Sequence, residues 1–437
     1  VTKTQKEEEA KVLQQYVRKE LLAVVKDPKK RLIYIDAIER LGVAYHFEEE
    51  IEANLQNFHN NEYDDAFYKD DLQYVSLQFR ILRQRGFYVS CDAFNKFRDE
   101  KGSFKSSLTS DLQGLLKMHE AAYLRVKGDD ILDEALEFST LHLKSMATQL
   151  NPVMTKQVKH ALSRPLHKCT PRLESRYQIS FYADEHSHDK NLLKLAKLDF
   201  DLLQVLHRKE LQQLTRWWKN LNLAVKLPFT RDRLVEAYFW ILGVYYEPNY
   251  SLARIIFTKV FIITSVIDDT YDAYGTMDEL ETFTEAIQWW DKNYALQLPE
   301  YMKIIYEALL DTFEQFKQDL LPEARTYAVE YLQQEMKELC NAYMQEARWC
   351  HTNYMPTYDE YIKNGIISGA YLCMIAASYQ GMGQIANNHA FEWLRQRSKA
   401  LTASCILARL LNDIGSSKVC EYSYDFALLI FIEIYVI

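Results

Sequence analysis

Val260-Phe261-Ile262-Ile263-Thr264-Ser265-Val266-Ile267-Asp268-Asp269-Thr270-Tyr271-Asp272 is the stretch that decides the fold. A nearly continuous apolar run ends in three carboxylates. On a helix, Asp268 and Asp272 stand four residues apart and share a face, while Asp269 points off to one side. Gly275 reads as a helix stop, and Thr276 with Glu279 makes a capping box for a new helix. The acids therefore lie in the last turn of a buried helix, where the macrodipole already disfavours negative charge. Three anions beside a core demand compensation. Divalent cations are its simplest source, and carboxylate oxygens suit Mg²⁺.

The 437 residues suffice for two or three domains. The chain is 48% apolar and carries 30 Tyr and 21 Phe, enough for a large core. With only 12 Gly and 9 Pro, and apolar residues recurring mostly at helical spacing, the sequence predicts an all-α protein. A net charge of −9 argues against nucleic acid as a partner. It also raises the question of how an acidic protein holds an anionic substrate, and a metal bridge is one answer. The seven cysteines, at 91, 169, 340, 350, 373, 405 and 420, form no Cys-x-x-Cys pair, and their number is odd. This pattern points to a reducing compartment. No stretch is expected to span a membrane; residues 426–437 are very apolar but short and interrupted by Glu433. The first residue is Val1 rather than Met, so an incomplete start is expected.

Helices are predicted over 7–25, 33–55, 72–85 and 130–150, with no fixed repeat period. A Pro-bearing segment, 164–171, and the polar stretch Asp184-Glu185-His186-Ser187-His188-Asp189 follow. The domain boundary is placed there, giving domains 1–187 and 188–437. Every strong chemical signal lies in the second.

Asp129-Asp130-Ile131-Leu132-Asp133 repeats the Asp-Asp-x-x-Asp pattern, so pattern alone does not identify a site. These acids follow Lys127-Gly128 and open a helix, where acidic residues are favourable without any metal. Arg231-Asp232-Arg233 stands at a helix start; two guanidinium groups there could grip a diphosphate, although an Arg-x-Arg alone is usually a solvated surface. Asn412-Asp413-Ile414-Gly415-Ser416 follows the apolar run 403–411. Asn412 and Ser416 share a face and offer hard oxygen, or the segment is simply a helix end with a capping Ser. Arg409 lies one turn earlier on the same side. His186 and His188 alternate in the polar loop and fit no single helical face. Trp217-Trp218 reads as core, whereas Trp240 is expected to line a cavity. No Ser–His–Asp or Cys–His arrangement and no Gly-rich phosphate loop stands out.

Taken together, Arg231-x-Arg233, Trp240, Asp268-Asp269-x-x-Asp272 and Asn412-Asp413-x-x-Ser416 resemble the plant class I terpene synthases, most of all the sesquiterpene synthases. The resemblance runs from about residue 8 to residue 416. It implies two all-helical domains, an α-barrel-like accessory domain followed by a helical bundle around an apolar cavity. It implies that Asp268, Asp269 and Asp272 bind Mg²⁺ (or Mn²⁺) on one wall, with Asn412 and Ser416 binding a further ion opposite. Arg231, Arg233 and Arg409 would hold the leaving diphosphate, and Trp240 would line the cavity. The implied activity is that of a lyase: ionisation and cyclisation of farnesyl diphosphate to a sesquiterpene by a monomeric, cytoplasmic enzyme. Geranyl diphosphate is the nearest alternative substrate. A chain-elongating prenyltransferase would need two aspartate clusters in one bundle, and the one at 129–133 falls in the wrong domain.

Two features depart from the family pattern. A metal-ligating Glu is expected eight residues after Asn412, where this chain has Cys420, and a thiol is a poor Mg²⁺ ligand. After Ser416 the sequence leaves the pattern altogether and ends in an apolar, β-like tail. These features, with the missing basic N-terminal segment, suggest a truncated or aberrantly spliced product and raise a second reading: a defective homologue that keeps the fold.

Overall fold

The computed structural model describes residues 3–23, 27–60, 68–185 and 188–417. Among these residues there are helices and one isolated bridge pair, Arg98 with Phe104, but no strand. The chain divides into two compact units between Gln204 and Val205.

The first unit contains α1 Lys3–Leu22, α2 Pro28–Arg40, α3 Glu48–His59, α4 Leu72–Gln84, α5 Leu112–Ala122, α6 Asp130–Met146, α7 Pro152–Ser163 and α8 Pro171–Asp184. Several starts are written locally. Asp27 accepts from the Lys30 amide at 3.1 Å, Asp71 from that of Tyr74 at 3.0 Å and Asn151 from that of Met154 at 2.9 Å. Pro28, Pro152 and Pro171 sit at first helical turns, where a missing N–H costs nothing. The single helix expected over 33–55 is two. Gly42, at φ 75°, breaks the chain after α2, and a short 3₁₀ turn at Ala44–His46 precedes α3. Phe47, Ile51, Leu55, Leu77, Phe79 and Phe94 fill the core between these helices. One buried carboxylate in this unit is fully matched: Asp36 accepts from Arg40 at 2.7 Å and Lys117 at 2.7 Å, and pairs with Arg80. Those cations hold its carboxyl far below the usual range against the cost of burial.

The division falls inside α9 Lys190–Leu221, beyond the polar stretch before residue 190 that suggested the boundary. The second unit continues with α10 Leu223–Lys226, α11 Leu234–Val244, α12 Ser251–Ala273, α13 Met277–Trp289, α14 Glu300–Leu320, α15 Tyr327–His351, α16 Tyr358–Ser368, α17 Tyr371–Tyr379, α18 Asn388–Arg395 and α19 Lys399–Ser417. α12 is the core helix. Sixteen of its residues are buried, among them Ile256, Val260, Ile263 and Ile267. Each such aliphatic chain contributes roughly 1.5–3 kcal/mol by leaving water. Pro248–Ala273 is long and apolar enough to cross a membrane, but 67% of its apolar window is buried inside the fold. That burial marks the interior helix of a bundle.

Arg254, with no exposed surface, locks this interior. It donates to Glu210 through Nε and Nη2, both at 2.8 Å, while Tyr238 donates to the same carboxylate at 2.7 Å. One ion pair therefore ties α9, α11 and α12 together. α12 ends at Ala273, and Gly275 follows at a point with no room for a side chain. A Cβ there would meet Leu280 Cδ2 at 2.6 Å. The capping box of Thr276 and Glu279 then starts α13. At the other side of the bundle, α16 and α17 are separated by Gly369 and Ala370, the latter at φ 63°, a conformation that an L-residue tolerates only when its surroundings enforce it.

Candidate active site

A cavity of about 350 Å³ opens within the second unit. α11 gives it Trp240, Ile241 and Val244; α12 gives Phe257, Phe261, Thr264, Ser265, Asp268 and Asp272. These α12 positions recur every three or four residues, so one helical face runs from an apolar floor to an acidic mouth. Trp240 stands edge-on to Phe261, with ring centroids 5.5 Å apart. Arg231 and Arg233, just before α11, line the cavity too, and Arg409, Asn412 and Asp413 reach it from α19.

The acids behave as the helical face requires. Asp268 and Asp272 line the cavity, and Asp269 is turned onto Arg231. Arg231 donates to Asp269 from Nε at 2.9 Å and from its backbone amide at 3.1 Å, with Nη2 also engaged. Its Nη2 is 3.7 Å from Asp268, so that carboxylate has a weaker claim on the same cation. Burial, then the negative charges of Asp272 and Asp269, push Asp268 up to about 7; Arg231 and Tyr343 act against this. Asp272 sits at the solvent-accessible mouth, yet the protein packed around it, then Glu346 and Asp269, also hold its carboxyl above the ordinary value.

Among the described residues this charge is compensated only in part, and its donors are hard oxygens. A hard divalent cation fits such a site. Among the described residues, no three His, Cys, Asp or Glu side chains converge closely enough to hold an ion by themselves. Two cavity-facing carboxylates completed by ligand oxygens suit Mg²⁺, which keeps several outside ligands.

Arg409 is 19% exposed and lies 3.1 Å from Asp413 and 3.6 Å from Glu346. Asn412 lines the cavity. The side chain of Ser416 and all of Cys420, like His186 and the apolar tail, lie outside the described residues. His188 is a loop residue bonded to the Glu185 carbonyl at 2.6 Å, and Trp218 is core. Asp129 and Asp133 are structural: Asp129 pairs with Arg83, and Asp133 lies 2.6 Å from Arg125.

Sequence reasoning missed Tyr343 and Glu346, which α15 adds to the wall. They stand at i, i+3 in an ordinary amphipathic pattern, with no motif to single them out. The helix break was legible: Ser368, Gly369, Ala370 and Tyr371 all line the cavity.

An aspartate-lined, aromatic-floored cavity in a helical bundle has close parallels. Residues 219–436 match the terpene synthase family, metal binding domain, and residues 1–162 match the terpene synthase N-terminal domain. The chain belongs to the terpene synthase family. It is 50% identical to a sesquiterpene synthase of Santalum austrocaledonicum, over 95% of this chain and 75% of that protein. It is 49% identical to valencene synthase of Vitis vinifera, over 96% and 75%. Among solved structures, isoprene synthase of grey poplar, in complex with three Mg²⁺ ions and dimethylallyl-S-thiolodiphosphate, superposes with a TM-score of 0.87 at 34% identity, covering 99% of this chain and 86% of that one. Limonene synthase with 2-fluorolinalyl diphosphate gives 0.86 at 30% identity, covering 99% and 84%. The chain is thus a two-domain, all-α lyase of prenyl diphosphates that uses a divalent metal.

Proposed function

We propose that this chain ionises farnesyl diphosphate with Mg²⁺ and cyclises the resulting cation, which loses a proton, or captures water and then loses a proton, to give a neutral sesquiterpene. The carrying observation is that Asp268, Asp272, Arg231, Arg233, Trp240, Arg409 and Asn412 all line one cavity. The names of the relatives support the farnesyl substrate, and the Mg²⁺ ions of the poplar enzyme support the metal.

Asp268 and Asp272 would hold Mg²⁺ on one wall, and Asn412 with Ser416 on the other. When bound, the ion supplies Lewis-acid polarisation of the diphosphate oxygens. Arg231, Arg233 and Arg409 donate to the departing diphosphate and stabilise the charge that develops on it, as preorganised donors do for other developing anions. The allylic C–O bond breaks, the electron pair leaves with the diphosphate, and a carbocation remains in the cavity. Trp240 and Phe261 present aromatic faces and edges to that space. Aromatic faces stabilise positive charge without capturing it, and the apolar walls exclude water. The broken helix at Ser368–Tyr371 sets part of the shape that folds the prenyl chain. Cytoplasmic location and a monomeric state belong to the same proposal and rest on the sequence resemblance.

One observation favours the second reading, a fold-retaining homologue without activity: Cys420 stands where a metal-ligating Glu is expected. Incubation with farnesyl or geranyl diphosphate and Mg²⁺, followed by product analysis, separates these readings. Cyclic C15 product that disappears in Asp268→Ala supports the proposal. Turnover of the C10 substrate alone would replace the farnesyl assignment, and no turnover of either would establish the inactive homologue.

A further inference from the structure

Arg409 reaches the cavity from α19, yet the residues that hold it come largely from α16. Tyr361 Oη accepts from Arg409 Nε at 2.8 Å and donates to Asp413 at 2.7 Å. The guanidinium also lies against the Tyr361 ring, 5.2 Å from its centroid. One turn on, Gly365 is buried beneath the arginine stem. A Cβ there would stand 3.2 Å from Arg409 Cγ, 3.5 Å from Cδ and 3.7 Å from Nε. One turn further, Ser368 donates to Glu346 at 2.7 Å, and Glu346 lies 3.6 Å from Arg409 Nη1. Positions 361, 365 and 368 fall on one helical face.

We propose that the Tyr361–Gly365–Ser368 face of α16 is a socket that aims the Arg409 guanidinium into the cavity for the diphosphate, resting on the function proposed above. Tyr361 fixes the inner end of the guanidinium. Gly365 leaves room for the stem. Ser368 holds the Glu346 carboxylate that faces the outer end. The three are positioning residues, because each acts through Arg409. Long arginine side chains lose much rotamer freedom when they bind, and a preformed socket removes part of that cost from the binding step. The socket also explains why a small residue occupies 365 inside a helix, where Gly is otherwise unfavourable.

The test is calorimetric binding of inorganic diphosphate to the full chain with excess Mg²⁺, alongside KM and kcat for farnesyl diphosphate. Tyr361→Phe is expected to weaken diphosphate binding about 3- to 10-fold, the net worth of one ordinary hydrogen bond because the loss reaches diphosphate only through Arg409, and to raise KM in parallel. Gly365→Ala is expected to act in the same direction by displacing the stem. Because both act through Arg409, Tyr361→Phe should change binding less than about 2-fold in an Arg409→Gln background. Thermal melting of each variant separates this from loss of fold. Wild-type affinity in both Tyr361→Phe and Gly365→Ala, or an undiminished loss in the Arg409→Gln background, overturns the socket alone. No diphosphate binding by the wild-type chain overturns the enzymatic reading and the socket with it.

Discussion

Asp-Asp-x-x-Asp occurs twice in this chain, at 129–133 and at 268–272, and the two copies are in opposite electrostatic states. Asp129 pairs with Arg83 and accepts from the Val126 amide at 3.0 Å; the Arg83 contact chiefly holds its carboxyl down at about 2. Asp268 is pushed up to about 7, because burial and two neighbouring carboxylates outweigh one shared arginine. The first copy opens its helix, where the dipole welcomes acids, and the second closes its helix, where the dipole opposes them. The same letters are a satisfied helix start in one place and an unsatisfied cation site in the other. What distinguishes them is the charge that the surrounding fold supplies.

Removing the acid from the unsatisfied copy should have the largest effect. Asp268→Ala is expected to lower kcat/KM for farnesyl diphosphate by about 10³-fold or more, the scale of losing a main electrostatic stabiliser of the leaving group. Steady-state product formation measures it, and a loss under tenfold would break the contrast. Arg231→Gln comes next. It releases Asp269 and removes one diphosphate donor, so kcat/KM should fall about 10- to 100-fold in the same assay.

The satisfied copy should respond in stability alone. Asp129→Asn strands Arg83, whose side chain is 7% exposed, and should cost ~2–4 kcal/mol in denaturant unfolding with kcat unchanged. A carboxyl held below its unfolded value stabilises the fold above that value. The gap between wild type and variant should therefore narrow as pH falls from about 4 toward about 2. The smallest effect belongs to His167, held down at about 4 by burial, then by Lys168 and Arg125. A depressed imidazole favours unfolding as pH drops from the usual value near 6.5 toward 4, because the unfolded chain takes up the proton first. His167→Gln should remove roughly 1–2 kcal/mol of acid sensitivity across that window, read from melts at pH 7 and pH 5.

How much of this was legible follows from where each signal lives. The apolar run of α12, its acidic end and the capping box of α13 were readable, because helix geometry alone places Asp268 with Asp272 and turns Asp269 aside. Arg231 could be picked out as a phosphate-binding candidate, but its ion pair with Asp269 depends on how the loop before α11 meets the end of α12. Tyr343, Glu346 and Tyr361 gave no signal, since their roles arise from contacts between helices distant in sequence. The break near Gly42 escaped because apolar periodicity continues on both sides of a left-handed glycine. The boundary within α9 is likewise invisible to composition, because the helix runs through it.

Binding of Mn²⁺ in the presence of inorganic diphosphate, followed by electron paramagnetic resonance, tests most directly whether unsatisfied carboxylates recruit the metal. The double variant Asp268→Asn, Asp272→Asn should lose the bound ion, while Asp129→Asn, Asp133→Asn should retain wild-type occupancy. Full occupancy in the first variant, or its loss only in the second, would contradict the account.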